Sequence, residues 1–237
     1  MVGMRISRRS FLRAGASTGL LAALASCSDK VYSSASDQKE IQVASVPPAA
    51  VGQLPAPEAV RTKFAMVGDS ITKASSQSLT DALGAEGFVD ITIEAEVSRR
   101  IAVGDGRGEP LSGVKTLFTM ISEGVTPDVW AIAMGTNDAG KYQTREEYAD
   151  LIQQMMSMID AGVPILWVDV YNPNQIAGTK MFNKVLREQA DKRGNTTVLS
   201  WFDLASDPSE KILRTDHIHP NAKGTEVFAD LVSAALA

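Results

Sequence analysis

The chain has 237 residues, 44% hydrophobic and 22% charged, which is ordinary globular composition with length enough for one packed core. Its formal charge is −5 and it has no basic run, so nucleic acid is excluded as the expected partner. A single cysteine, Cys27, excludes an intramolecular disulfide and a multi-cysteine metal site, and the only histidines, His217 and His219, are a poor basis for structural zinc. Neither a metal nor a cofactor is expected.

The N-terminus reads as a targeting segment rather than as part of the fold. Ser7-Arg8-Arg9-Ser10-Phe11-Leu12-Arg13 resembles the twin-arginine export signal. The mildly apolar stretch from Ala14 to Ala25 that follows is too short, and too rich in Gly and Ser, for a stable membrane span. Leu24-Ala25-Ser26-Cys27 resembles a bacterial lipobox, which implies lipidation of Cys27 after cleavage of residues 1–26. That cleavage removes four arginines and no acidic residue, taking the formal charge to −9. A lipid on Cys27, not the protein surface, would then hold the chain at a membrane. Residues 27–60 are rich in Ser, Ala and Pro without a sustained period, and read as an extended tether. A weakly packed N-terminal arm is the other reading.

From Arg61 the pattern alternates strands and helices. Lys63–Val67 is expected as the first strand, followed by a helix over Ser75–Glu86 that Gly87 ends. Val89–Ala95 alternates apolar and polar residues, as a strand with one polar face does. Gly104 to Glu109 is a loop. Leu111–Glu123 is an amphipathic helix with Val114, Leu117, Phe118 and Ile121 at helical spacing. Val129–Met134 is nearly continuous apolar, as expected of a central strand covered on both faces. Thr144–Ala161 is a helix opened by a capping box of Thr144 and Glu147. Pro164–Tyr171 is a buried strand, Gly178–Lys192 a helix, Thr196–Phe202 the last strand and Asn221–Leu236 the final helix. This order argues one α/β domain over residues 61–237, with a parallel five-stranded sheet between helices.

Three polar turns stand out. Gly68-Asp69-Ser70 ends the first strand, Gly135-Thr136-Asn137-Asp138 follows the third, and Asp216-His217-Ile218-His219 follows the last. Loops after parallel strands share one edge of the sheet, so distant turns can converge there. A neutral serine hydroxyl is a weak nucleophile and needs a base. His219 is the candidate base for Ser70, with Asp216 three residues before it to fix the ring tautomer. The backbone N–H of Ser70 and the amide of Asn137 are candidate oxyanion donors, and Gly135 lets its turn approach closely. His217 is expected at the solvated rim, and Asp138 is expected to brace its own turn.

These turns resemble the first, third and fifth blocks of the SGNH (GDSL-type) hydrolase family. The resemblance covers Phe64 to the final helix. It implies a flavodoxin-like three-layer α/β/α sandwich and serine ester chemistry without a metal. The chain departs from the family at the second block, where Glu94-Ala95-Glu96-Val97-Ser98-Arg99-Arg100 lacks the usual glycine. By the resemblance, Ser98 takes over that glycine's oxyanion N–H. The run Glu96-Val97-Ser98-Arg99 and Trp201 are similar to the SGNH domains of cell-wall O-acetyltransferases.

The expected protein is an exported serine esterase acting on short acyl groups, above all acetyl, carried by glycan or other small esters. Asp69, Arg99 and Trp201 are its candidate substrate contacts. Arg99 and Arg100 are read either as holders of a substrate carboxylate or as an exposed, solvated pair. The alternatives are an O-acetyltransferase fed by a separate acyl donor, or a non-catalytic glycan-binding module. An α/β-hydrolase is excluded because Gly68-Asp69-Ser70-Ile71-Thr72 lacks the second glycine of the Gly-x-Ser-x-Gly elbow.

Overall fold

Five short apolar segments form one sheet in the computed structural model, which describes Gly52, Leu54 and residues 60–237. The expected signal segment, Cys27 and nearly all of the expected tether lie outside the described residues. Strands β1 (Lys63–Gly68), β2 (Asp90–Ala95), β3 (Val129–Ala133), β4 (Ile165–Val168) and β5 (Thr196–Leu199) lie in the order β2-β1-β3-β4-β5. Every neighbouring pair is parallel. The crossovers are helices α1 (Ser70–Ala85), α2 (Gly113–Ser122), α3 (Arg145–Met156) and α4 (Ile176–Arg193). A short α5 (Trp201–Ser206) and the final α6 (Ala222–Ser233) follow β5. This is the three-layer α/β/α sandwich expected from the sequence.

The strand period of two decides which core each residue joins. Phe64 and Met66 of β1 face α1 and α6, where Leu79, Leu83, Trp201, Phe228 and Val232 pack. Ala65 and Val67 face the other layer, with Leu117, Tyr148, Trp167 and Phe182. Strand β3 is buried at all five positions, as its unbroken apolar run requires, while edge strand β2 is only partly covered. Leu54, inside the segment expected to be a tether, is 8% exposed and packs into the α1/α6 layer. Its N–H donates to the Ala235 carbonyl.

Several expected elements differ in extent. Helix α1 begins at Ser70 rather than Ser75, because Asp69 caps it directly after the strand. Helix α3 ends at Met156, short of Ala161. The last strand stops at Leu199, and Trp201 opens a helix instead of continuing the strand. On α2 the buried set is Gly113, Thr116, Leu117 and Met120, so Phe118 and Ile121 point to solvent. The apolar stripe of α2 is wider than the surface the sheet offers it.

Candidate active site

All three polar turns meet at the carboxyl edge of the sheet. Gly68 closes β1 against α1, and a Cβ there would lie 2.1 Å from the Thr72 hydroxyl oxygen. Asp69 is the N-cap, its Oδ1 accepting from Ile71 N–H at 2.9 Å. Ser70 therefore stands at the first helical position, where backbone N–H groups are left without helical partners. The half-buried Ser70 Oγ lies 2.9 Å from His219 Nε2, across 149 residues of sequence.

The loop before α6 orients that ring. Asp216 Oδ2 lies 2.9 Å from His219 Nδ1. Its Oδ1 accepts from the backbone N–H groups of Ile218 and His219, each at 2.9 Å. Desolvation alone would raise the Asp216 carboxyl. The two N–H donors and the His219 ring outweigh it and hold the pKa at about 2. The carboxylate is thus ionised wherever an imidazole can be neutral. The adjacent His217 adopts φ 57° and is exposed, as the rim position expected of it. Antiparallel pairing of Leu213 with Pro220 closes the base of the loop, and Asn221 caps α6 through Gly224 N–H.

The second block carries its missing glycine in conformation rather than in composition. Ser98 sits at φ 61°, in the left-handed region that glycine favours. Its neighbours hold it there. Arg99 is 5% exposed, and its guanidinium donates to the carbonyls of Leu111, Gly68 and Glu94. Arg100 Nε donates to Asp138 Oδ1 at 3.1 Å. Both sequence readings of this pair are corrected. Arg99 neither faces a substrate nor lies in solvent, and Arg100 is paired. A buried guanidinium is stable here because three carbonyls replace its water.

The third block bolts onto the second. Asn137 Nδ2 donates to the Arg99 carbonyl at 3.1 Å and lies 3.5 Å from Asp69 Oδ2. Asp138 is fully buried, accepts from Ile101 N–H at 3.0 Å and braces its turn as expected. Burial pushes its carboxyl up, against the opposing pull of Ile101 and Arg100. Gly135, at φ 123°, passes so close to Phe182 that a Cβ would lie 2.3 Å from the ring.

Two further substrate candidates are also corrected. Asp69 is 1% exposed; it caps α1 and bonds the Thr136 side chain. Burial raises its pKa to about 6 despite those donors. Trp201 is 1% exposed and packs edge-on against Phe228, with ring centroids 5.2 Å apart. Its indole N–H has no partner among the described residues, and it belongs to the core, not to a substrate surface.

Sequence reasoning missed two supports. Buried Asp169, after β4, accepts from Phe202 N–H and from Arg187, and so fixes the start of α5. Lys73 of α1 pairs with Glu96 at 2.6 Å, tying the helix that starts at Ser70 to the second block. Neither Asp169 nor Lys73 lies in a motif. Asp169 signals itself only as a lone carboxylate ending an apolar strand.

Residues 66–227 match the sequence profile of the GDSL-like Lipase/Acylhydrolase family. The chain belongs to that family. It is accordingly a serine ester hydrolase. Similar solved structures include the C-terminal catalytic domain of peptidoglycan O-acetyltransferase A from Streptococcus pneumoniae, with a methylsulfonyl adduct. That match has 21% identity and a TM-score of 0.58 over 75% of this chain and 94% of the other. An acetyl xylan esterase variant from Geobacillus stearothermophilus aligns at 15% identity and TM-score 0.57, over 74% of this chain and 94% of its own. A psychrotrophic esterase from a Pseudoalteromonas species, inhibited by monoethylphosphonate, aligns at 16% and 0.58, over 74% and 96%. At these identities the likeness is one of fold. No curated protein sequence matches the chain.

Proposed function

We propose that this protein removes short acyl groups, above all acetyl, from glycan in the cell envelope through an acyl-serine intermediate. The observation that carries the mechanism is the continuous relay from Ser70 Oγ to His219 Nε2 and from His219 Nδ1 to Asp216, at 2.9 Å for each contact. As Ser70 Oγ attacks the ester carbonyl carbon, its proton passes to His219 Nε2, and Asp216 stabilises the imidazolium. The carbonyl oxygen becomes an oxyanion facing the N–H of Ser70, the N–H of Ser98 and the Asn137 amide. The long Asn137–Asp69 contact is the one that an oxyanion replaces. Collapse of the tetrahedral species breaks the bond to the alcohol oxygen, which takes the proton from His219. Water then attacks the acyl-serine by the same route, with His219 again the base. Asp69, buried and neutral through mildly acidic solution, positions the loop without reacting.

The glycan assignment draws support from the second-block resemblance and from the carbohydrate-active names among the structural neighbours. Export along the twin-arginine route with a lipid on Cys27 would place the enzyme at the envelope, where acylated glycans lie. The test uses the full chain and its Ser70→Ala variant. Acetate release is followed from 4-nitrophenyl acetate and from O-acetylated glycan, together with labelling by a fluorophosphonate. Turnover and labelling in the parent, both absent from the variant, are expected. A folded parent that neither turns over nor takes the label would refute the mechanism.

A further inference from the structure

A cleft of about 650 Å³ opens beside the catalytic loop, between the turn after β4 and the chain from α5 to His217. Tyr171 and Asn174 line one wall, and Lys211, Arg214, Asp216 and His217 the other. Of the three residues of the relay only Asp216 lines it, which bears on which half of an ester it can hold. The leaving alkoxide must take its proton from His219, so the alcohol lies on the histidine side of Ser70. The acyl oxygen lies on the opposite side, towards Ser98 and Asn137. The cleft borders Asp216 and His217 and none of Ser70, Ser98 and Asn137, so it lies beyond the histidine and away from the oxyanion donors.

The lining also has a charge character. No ion pair among the described residues involves Lys211 or Arg214. The Lys211 ammonium makes no hydrogen bond there, and Arg214 uses only Nε, on the Pro220 carbonyl at 2.9 Å. The two carboxylates of the cleft keep their charge, but their oxygens are turned to partners in their own loops. Asp207 accepts from Ser209 N–H and Oγ at 2.8 and 2.7 Å, and Asp216 holds His219 and its own turn. Two cations thus remain to meet a ligand, on a chain whose formal charge is −5. Tyr171, braced edge-on by Phe202 at 5.6 Å, offers a ring against which a sugar face can lie. The Asn174 side chain, without a hydrogen bond among the described residues, adds a donor and an acceptor.

We infer that this cleft binds the alcohol half of the ester, and that Lys211 and Arg214 select a sugar bearing a carboxylate near the acylated hydroxyl. The inference rests on the esterase reading above. A charged contact at an exposed site changes affinity by up to about 1 kcal/mol, so the expected preference is about fivefold. The full chain is assayed on an O-acetylated oligouronate, on the same oligosaccharide with its carboxylates reduced to alcohols, and on 4-nitrophenyl acetate. The expected result is a kcat/KM about fivefold higher on the acidic oligosaccharide than on the reduced one. Lys211→Asn, chosen because asparagine tolerates the φ of 51° at this position, should remove most of that preference, and Lys211→Glu should reverse it. Equal rates on the two oligosaccharides, or a preference that neither variant moves, overturn the inference even if 4-nitrophenyl acetate is cleaved. If the parent cleaves none of the three, the esterase reading falls and the inference with it.

Discussion

Replacing Asp216 by asparagine keeps the shape of the acid and reverses one hydrogen bond. In the parent, Oδ1 accepts two backbone N–H groups and Oδ2 faces His219 Nδ1. The carboxylate accepts Nδ1–H and leaves the Nε2 lone pair towards Ser70. An asparagine keeps its carbonyl oxygen on the two backbone donors, so its NH2 faces Nδ1. The ring must then carry its proton on Nε2, where it cannot accept one from Ser70. Flipping the amide restores the tautomer but sets NH2 against two N–H donors. Two lost hydrogen bonds at about 1 kcal/mol each, with like dipoles facing, put the flipped form about 3 kcal/mol up, near 1% of the population. Loss of the charge beside the imidazolium adds up to about 1 kcal/mol at this partly exposed site. Together these predict a roughly 10³-fold fall in kcat/KM for Asp216→Asn. The assay is 4-nitrophenyl acetate hydrolysis, with thermal unfolding run beside it to show that the fold is kept. A folded variant within about tenfold of the parent would refute the tautomer argument. Since Asp216 titrates at about 2, its ionisation should add no step to the parent profile from about pH 5 to about pH 9.

Gly135→Ala is expected to cost about 3 kcal/mol, from a Cβ 2.3 Å from the Phe182 ring on a backbone at φ 123°. Its Tm should fall by roughly 10 °C, and a fall under about 2 °C would mean that the turn relaxes freely. Asp169→Asn tests buried charge. Burial raises Asp169 from 3.8 to about 6 in the folded protein, so the fold binds its proton more tightly than the unfolded chain does. That contribution to stability is fully present below about pH 4 and is lost as pH rises through about 6. Tm of the variant should therefore fall less than that of the parent from about pH 4 to about pH 7, and parallel curves would contradict the assignment. Asp69, raised to a similar value by burial, stays in both proteins and leaves a residual slope.

Where a local rule sufficed, the sequence was legible. The unbroken apolar run of β3 called for burial on both faces, and the alternation in β2 called for a strand with one polar face. The capping box of Thr144 and Glu147 marked the start of α3. The spacing of Asp216 and His219 lets one carboxylate serve the ring and its own turn. The second block misled because two adjacent arginines look like a solvated pair. Only the surrounding carbonyls of Gly68, Glu94 and Leu111 make burial of Arg99 affordable. Trp201 misled for a related reason. An aromatic residue after a β-type run extends the strand pattern, yet Asp169 takes the Phe202 N–H and turns the chain into α5.

The sequence by itself determined the alternation of five strands with their crossover helices, the parallel sheet and the candidates for acyl chemistry, because periodicity and short-range spacing are properties of neighbouring residues. The tertiary structure decided which of them meet. It brought Ser70 within 2.9 Å of His219 across 149 residues, fixed Ser98 at a glycine-like φ of 61°, and withdrew Arg99, Asp69 and Trp201 into the interior. Those outcomes depend on which partners packing supplies to each polar group, and chain order alone does not carry that information.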